Sequence, residues 1–189
     1  MLDRIRLWWR FEGRHIPRNI RAGVRNLWRW FPTIWRDRDW DTHYIYEILR
    51  VKLEHQAQYI ADRDFHTEAK RDAERMRLVA RLIKLQQEDH YAMEYIDYHE
   101  SSFEFVPTDA TKKWFTLEED VHSERFEEYF AKYPGQYKRA MLGELNRYRR
   151  RAEEKDAQLI AMEIAHENQA RCRRLIFDIM HNHIERWWD

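Results

Sequence analysis

The chain has 189 residues, of which 43% are hydrophobic and 36% are charged, and its formal net charge is zero. This composition excludes a disordered chain, and because no apolar run approaches the roughly 20 residues of a membrane span, it also excludes a membrane-spanning one. The chain has only four glycines and four prolines, too few for the many turns of an all-β fold. The lone cysteine, Cys172, excludes an internal disulfide and a cysteine-based zinc site. We expect a single domain in a reducing cytoplasm, without a secretory signal.

Charged residues are segregated along the chain. Residues 1–38 carry ten arginines against three acids, residues 86–128 carry thirteen acids against three bases, and residues 132–155 carry eight bases against three acids. Opposed blocks favour contacts within one chain or between copies. They do not favour specific nucleic-acid binding, which needs an overall basic domain. We therefore expect a homo-oligomer with an interface of at least roughly 1,000 Å².

The first 31 residues are predicted to form a basic arm and an amphipathic helix from Pro17 to Phe31. Arginines recur every three or four residues on one face, and apolar residues occupy the opposite face (Arg18, Arg21, Arg25 and Arg29 against Ile16, Ile20, Val24, Leu27 and Phe31). Pro32 is predicted to end this helix. Arginine and tryptophan on such a helix are typical of a peptide in a membrane interface. We nevertheless expect the apolar face to be buried, and membrane contact by residues 1–31 is the less favoured alternative.

The rest of the chain is predicted to be helical. Asp41 is expected to cap a second helix, and a third runs from about Thr67 to about His99. Ser101 to Lys112 is predicted to be a loop, briefly extended at Phe103 to Val106. Thr116 to Glu119 matches a capping box, which predicts a helix that Pro134-Gly135 ends.

Helix is then predicted from Gln136 to Trp188, with a break near Arg151. The resulting fold class is all-α, an antiparallel bundle of five to six helices with the basic amphipathic helix at its N-terminus. The predicted organisation is one domain over residues 1–189, with an arm at 1–31 and the bundle at 32–189.

Glu-x-x-His pairs are typical of di-iron bundles, because that spacing places both ligands on one side of a helix. The chain has Glu12/His15, Glu119/His122 and Glu163/His166, with Asp178/His181 as a variant. Roughly two such matches are expected by chance in so charged a chain. We predict no metal and no cofactor.

Catalytic motifs are absent from the sequence, which has no phosphate loop, nucleophile elbow or dinucleotide-binding turn. We therefore predict that the protein is not an enzyme, and we assign no catalytic residue. The acidic stretch from Glu118 to Glu128 is similar to the magnesium carboxylates of all-α nucleotide pyrophosphohydrolases. A metal-dependent nucleotide hydrolase is thus one alternative, and a structural protein that binds a partner through its basic arm is another.

The most specific cluster lies between the first two predicted helices. It combines guanidinium groups, which grip phosphate, with rings that stack on bases and carboxylates that accept ribose hydroxyls. The predicted ligand-binding residues are Trp35, Arg36, Arg38, Asp39, Trp40, Asp41 and Tyr44. A structural network in which the aspartates neutralise the arginines is the alternative.

Two stretches resemble a family of small helical bacteriophage proteins. These are W-R-D-R-D-W-D at Trp35 to Asp41, followed by Tyr44 and Lys52-Leu53, and the closing H-I-E-R-W-W-D at His183 to Asp189. Trp35 to Leu53 and His183 to Asp189 together span 26 of the 189 residues. The closing Trp187-Trp188 pair is expected to pack on the bundle or on another copy.

The resemblance implies a phage origin and action in the host bacterial cytoplasm, and it assigns no catalytic residue. Phages encode small oligomeric proteins that sequester immune signalling nucleotides. A chain rich in arginine and aromatic residues is compatible with that class. The expected function is therefore non-enzymatic binding of a cyclic dinucleotide or an ADP-ribose derivative, which blocks bacterial immune signalling.

Overall fold

A computed structural model describes Trp9 and residues 13–38, 40–64, 67–109, 113–145 and 156–188. The chain forms two compact units, Met1–Leu49 and Arg50–Asp189. The described residues contain seven α-helices: α1 (Ile16–Arg36), α2 (Thr42–Arg63), α3 (Ala69–Gln87), α4 (His90–Met93), α5 (Phe126–Lys132), α6 (Pro134–Met141) and α7 (Ala157–His183). They also contain two strands, β1 (His99–Pro107) and β2 (Phe115–Glu124). No described helix is both long and apolar enough to cross a bilayer.

The predicted end of the first helix at Pro32 is wrong, because α1 continues to Arg36. Proline removes one hydrogen bond of the helical ladder. Contacts between residues one helical turn apart support the helix beyond the missing hydrogen bond. The Arg36 Nε donates to the Pro32 carbonyl at 3.1 Å, and the rings of Phe31 and Trp35 lie 5.4 Å apart.

The apolar face of α1 is exposed, contrary to the expectation that it is buried. Leu27 is 70% exposed and Trp28 is 83% exposed, and the stripe from Ile20 to Trp35 shares this property. The residues of α1 with lower exposure are mostly small or lie on another side of the helix, with Thr33 the one buried position. This leaves a continuous apolar surface in contact with solvent.

The long helix α7 is the centre of the second unit, where it contacts α3, α4, α5 and α6. Small side chains on α3, such as Ala69 and Ala73, allow close approach, and Met76 and Ile83 fill the same face without exposure. A second part of the core lies under α5 and α6, where Phe126, Tyr129 and Phe130 pack with Ala140, Leu145, Ile160, Ala161 and Ile164.

The all-α fold class is wrong, because β1 and β2 form a two-stranded antiparallel sheet. Phe105 lies opposite Leu117, and Glu104 lies opposite Glu118. The predicted capping box at Thr116 therefore lies inside a strand, and helix begins only at Phe126. Phe103 and Phe105 alternate with Ser102 and Glu104 in a period-two pattern, and cross-strand pairing of these residues outweighs a weak local capping signal.

One other predicted helix is shorter than expected. The third predicted helix is interrupted at Asp89, whose φ of 49° is left-handed, and the chain then forms α4 and a 3₁₀ turn at Glu94–Tyr98. The predicted helix end at about Tyr133 is confirmed, because α5 ends at Lys132. Pro134 also begins α6, since a proline in the first turn loses no hydrogen bond. The predicted break near Arg151 lies outside the described residues, and α7 is followed by a 3₁₀ turn at Ile184–Trp188.

Candidate ligand-binding site

A solvent-open cavity of about 470 Å³ lies in the second unit, against the central helix α7. Such a volume is within the usual range of small-molecule sites. Its walls come from α3, α4, the junction of α5 with α6, and α7; the lining residues are Leu82, Tyr91, Tyr133, Gln136, Asn168, Arg171, Cys172, Arg174, Leu175 and Asp178.

The α7 wall follows from helical spacing. Asn168, Arg171, Cys172 and Leu175 are three or four residues apart, so they lie on one face of the helix. Arg171 is exposed, and it makes no ion pair within the part of the chain that the structure describes. Arg174 is paired with Glu167, with Nη2 2.9 Å from Oε1. The rim of the cavity therefore offers one guanidinium that is open to an anion and one that is shared.

A buried carboxylate bonds to Tyr133, one of the residues that line the cavity. Glu94 is only 8% exposed, and it receives hydrogen bonds from the Lys132 ammonium and from the Tyr133 hydroxyl, the latter at 2.6 Å. A buried charge needs such partners because its desolvation is costly. The hydrogen bond to Glu94 raises the pKa of Lys132, while burial and then the Glu94 bond raise the pKa of Tyr133. At neutral pH both groups stay protonated and hold the wall in place.

Two further lining groups are also held in their neutral forms. Burial raises the pKa of the Cys172 thiol, which donates to the Leu82 carbonyl at 3.5 Å. Burial is also the largest cause of a raised pKa at Tyr91, and the nearby Cys172 and Glu94 raise that pKa further. Since the thiolate is the nucleophilic form of cysteine, this environment disfavours covalent chemistry at Cys172.

Amide side chains join the elements that surround the cavity. Gln136 Nε2 donates to Asn168 Oδ1 at 3.1 Å, which joins α6 to α7. Gln169 Nε2 donates to both the Gln86 carbonyl and Asp89 Oδ1 at 3.1 Å each, which fastens the turn before α4 to α7. These bonds position Tyr91 on α4, and the site is therefore held by secondary structure on several sides.

The cluster predicted from the sequence lies at the junction of α1 and α2 in the first unit. Trp35 and Trp40 are 72% and 82% exposed, and Tyr44 is half-buried. The aromatic side chains of this junction are thus largely accessible to a ligand.

The charged members of the same cluster bond locally. Arg36 donates to the Pro32 carbonyl at 3.1 Å, and Arg38 Nη1 donates to the Asp37 carbonyl at 2.8 Å. Asp41 Oδ1 accepts from the His43 amide at 2.8 Å, so the predicted helix cap is confirmed. Asp39 lies outside the described residues. The structure thus brings the described members to one junction, and Asp41 has a structural role there.

The Glu-x-x-His pairs do not converge. Glu119 and His122 lie on β2, where this spacing places them on different faces, and each bonds elsewhere: Glu119 to His99 and His122 to the Ser102 hydroxyl, both at 2.9 Å. Within the described ranges no group of three or more His, Cys, Asp or Glu residues could hold a metal ion. Glu12 lies outside those ranges.

The acidic stretch proposed for a hydrolase is not one helix. Glu118, Glu119 and Asp120 lie on β2, whereas Glu127 and Glu128 lie on α5. The acidic helix that was predicted for the hydrolase alternative is therefore wrong.

The cavity residues were not predicted from the sequence. One signal was present, because Asn168 falls in register with the apolar residues Ile164, Ala165 and Cys172, and it is only 7% exposed. A polar residue within a buried helical stripe indicates a site or a structural network. The tyrosines come from distant segments, and their convergence depends on the turn at Asp89 and the break before Pro134.

Trp187 is 2% exposed, so the first of the paired C-terminal tryptophans packs within its own chain. The side chain of Trp188 and all of Asp189 are outside the described residues.

Comparisons of the chain with protein-family models, with curated proteins and with solved structures found no match.

Proposed function

We propose that this protein binds a phosphorylated small molecule of the nucleotide class in the α7 cavity and holds it without converting it. The observation that carries the proposal is Arg171, which lines the same cavity as Tyr91 and Tyr133, is exposed, and has no ion pair among the described residues. A guanidinium supplies a forked donor for phosphate, and aromatic rings supply surfaces for a base.

Binding without conversion is supported by the state of the lining groups. The shifts at Tyr91, Tyr133 and Cys172 all favour the protonated form, which donates hydrogen bonds and is a poor nucleophile. Gln136 and Asn168 add neutral amides. Such groups suit recognition and sequestration.

We also propose, from the resemblance to phage proteins, that the protein acts in the host bacterial cytoplasm. There the ligand would be an immune signalling nucleotide, either a cyclic dinucleotide or an ADP-ribose derivative. The Trp35–Tyr44 junction remains a second predicted contact for the same class of ligand, and it is tested separately below.

The test is calorimetric titration of the full chain with a cyclic dinucleotide, ADP-ribose and AMP. We expect at least one to bind, and Arg171→Ala to weaken that binding by about tenfold or more, because charge-assisted bonds contribute about 1.5–3 kcal/mol. Arg173→Ala is the matched control, since Arg173 is exposed on the same helix and does not line the cavity.

A second measurement separates sequestration from hydrolysis. The ligand is recovered after heat denaturation of the complex and analysed by mass spectrometry. Intact ligand supports the proposal, whereas products support a hydrolase. Equal binding by Arg171→Ala and the parent chain would move the site away from this cavity.

A further inference from the structure

The structure points to a second interaction surface: we infer that α1 lies on an anionic lipid surface, with its apolar stripe in the headgroup region and its arginines among the lipid phosphates. This inference concerns the first unit and is independent of the function proposed for the α7 cavity.

The apolar stripe of α1 is long and exposed. At about 100° per residue, its members fall on one side of the helix. Their exposed fractions range from 55% for Phe31 to 83% for Trp28; the members are Ile20, Val24, Leu27, Trp28, Phe31, Ile34 and Trp35. A contiguous exposed apolar patch of this kind marks an interaction site.

The opposite side of α1 is basic. Arg18, Arg21, Arg25, Arg29 and Arg36 fall within one arc, and the helix contains no aspartate or glutamate over its 21 residues. A strongly charged arc opposite a stripe of Leu, Phe and Trp is the pattern of helices that lie in the plane of a membrane interface. The absence of acids from this helix favours an anionic partner.

Tryptophan occupies the border between the two sides. Trp28 and Trp35 lie at the edge of the apolar stripe, and Trp28 is about 20° around the helix from Arg21. Tryptophan is enriched at the level of lipid headgroups because its ring is apolar and its N–H is polar. This border position suits a fluid interface, in which the stripe enters the lipid and the arginines reach phosphates from above.

A second copy of the chain is the competing occupant, since one face of its hairpin is mainly apolar and the other is acidic. The one acid opposite Phe103 on the mainly apolar face, Glu119, is bonded to His99. Phe105 and Leu117 face one side of the sheet, whereas Glu104 and Glu118 face the other. A helix seated on the apolar face of that hairpin would hold its arginines on the far side from those acids. Charge complementarity therefore favours the lipid surface, where phosphates surround the helix.

The experiment is co-sedimentation of the full chain with large vesicles of phosphatidylcholine, alone or with phosphatidylglycerol. We expect binding to the anionic vesicles, little binding to the zwitterionic ones, and a loss of binding as salt rises. Leu27→Glu should abolish binding and, because Leu27 is 70% exposed, should leave the helical circular dichroism unchanged.

Matched variants test the role of charge. Arg25→Glu should reduce partitioning by about tenfold or more, because each basic residue near an anionic surface contributes about fivefold and the substitution also adds a repulsive charge. Arg25→Lys should retain most of the binding. Arg77→Glu makes the same charge change on an exposed position of α3 and should bind like the parent chain.

Two results would overturn the inference. One is equal recovery of the parent chain and of Leu27→Glu with anionic vesicles. The other is a lipid-free oligomer, measured by light scattering, that Leu27→Glu converts to a 23.8 kDa monomer, since the stripe would then be covered by a second copy.

Discussion

The Tyr133 hydroxyl donates a hydrogen bond to Glu94 Oε2 at 2.6 Å, across 39 positions of the sequence. The bond joins the junction of α5 and α6 to the 3₁₀ turn after α4. It therefore sets the distance between two walls of the α7 cavity, because Tyr133 lines the cavity and Tyr91 lies just before that turn. A buried carboxylate thus organises the candidate site without lining it.

Replacement of Tyr133 by phenylalanine tests this relationship. Tyr133→Phe should lower the free energy of unfolding by about 1.5–3 kcal/mol, because a hydrogen bond to a charged group is lost and Glu94 remains buried. Denaturant unfolding followed by circular dichroism gives the value. Tyr59→Phe is the control, since Tyr59 is half-exposed and its hydroxyl accepts from exposed Arg63; it should change stability by less than about 0.5 kcal/mol. Equal effects would contradict a special role for the Glu94 bond.

Alkaline pH should destabilise the protein through the same cluster. Folding raises the pKa values of Tyr129, Tyr133 and Lys132, so their contribution to stability is complete below the ordinary value of about 10 and is lost as pH rises above it. The denaturant midpoint should therefore be lower at pH 11 than at pH 8. In Tyr133→Phe this fall should be smaller, because one of the shifted groups is gone. A midpoint that does not change over this range would refute the assignment.

Helices with a clear period were predictable from the sequence. The cap at Asp41 and the apolar face of α3 follow from local spacing, and the structure confirms both. The hairpin was not, because Thr116 to Glu119 satisfies a local helix signal, whereas the strand depends on pairing with residues 101–107. Strand pairing is a contact between segments, and a local motif carries no information about the partner.

The α7 cavity shows the same limit for a site. Arg171 and Arg174 were visible as charges on a helix, but Tyr91 and Tyr133 join the lining of the same cavity only after two chain reversals. The Trp35–Tyr44 cluster was predictable because its members are neighbours in sequence. A high density of arginine and aromatic residues does not by itself distinguish a binding site from a helix junction. Asp41 shows that at least one member of the cluster serves the junction.

Loss of the acid beside Arg174 should strengthen the candidate site. Glu167 Oε1 accepts from Arg174 at 2.9 Å and from Arg139 at 3.5 Å. Glu167→Gln removes a competing negative charge, so the affinity for ADP-ribose or a cyclic dinucleotide, whichever the parent chain binds, should rise about two- to fivefold, the range of a partly exposed ion pair. Calorimetry at low salt measures the change. Glu54→Gln makes the same charge change on α2, and an equal gain there would indicate a general charge effect.

The Asp41 cap predicts a contrast between two substitutions. Asp41→Ala removes the acceptor for the His43 amide and should lower the free energy of unfolding by about 0.5–2 kcal/mol. Asp41→Asn keeps an acceptor oxygen and should stay close to the parent chain. Thermal unfolding of both variants gives the comparison. Equal losses would mean that the negative charge, and not the cap, stabilises this junction.

Arg38 decides between the two interpretations of the α1–α2 junction. Its side chain is exposed, and its Nη1 donates to the Asp37 carbonyl at 2.8 Å, which leaves other guanidinium donors in reach of solvent. If the junction contacts a nucleotide phosphate, Arg38→Ala should weaken binding by about 1.5–3 kcal/mol with little change in the melting temperature. Arg38→Lys should also bind poorly, because an ammonium does not reproduce the fork.

If Arg38 instead serves a structural network, the melting temperature should fall in Arg38→Ala while the affinity of the folded protein is unchanged. Both quantities are to be measured on the same variant, with Arg171→Ala in parallel. A loss of affinity confined to Arg171→Ala would leave the α7 cavity as the site and the junction as scaffold.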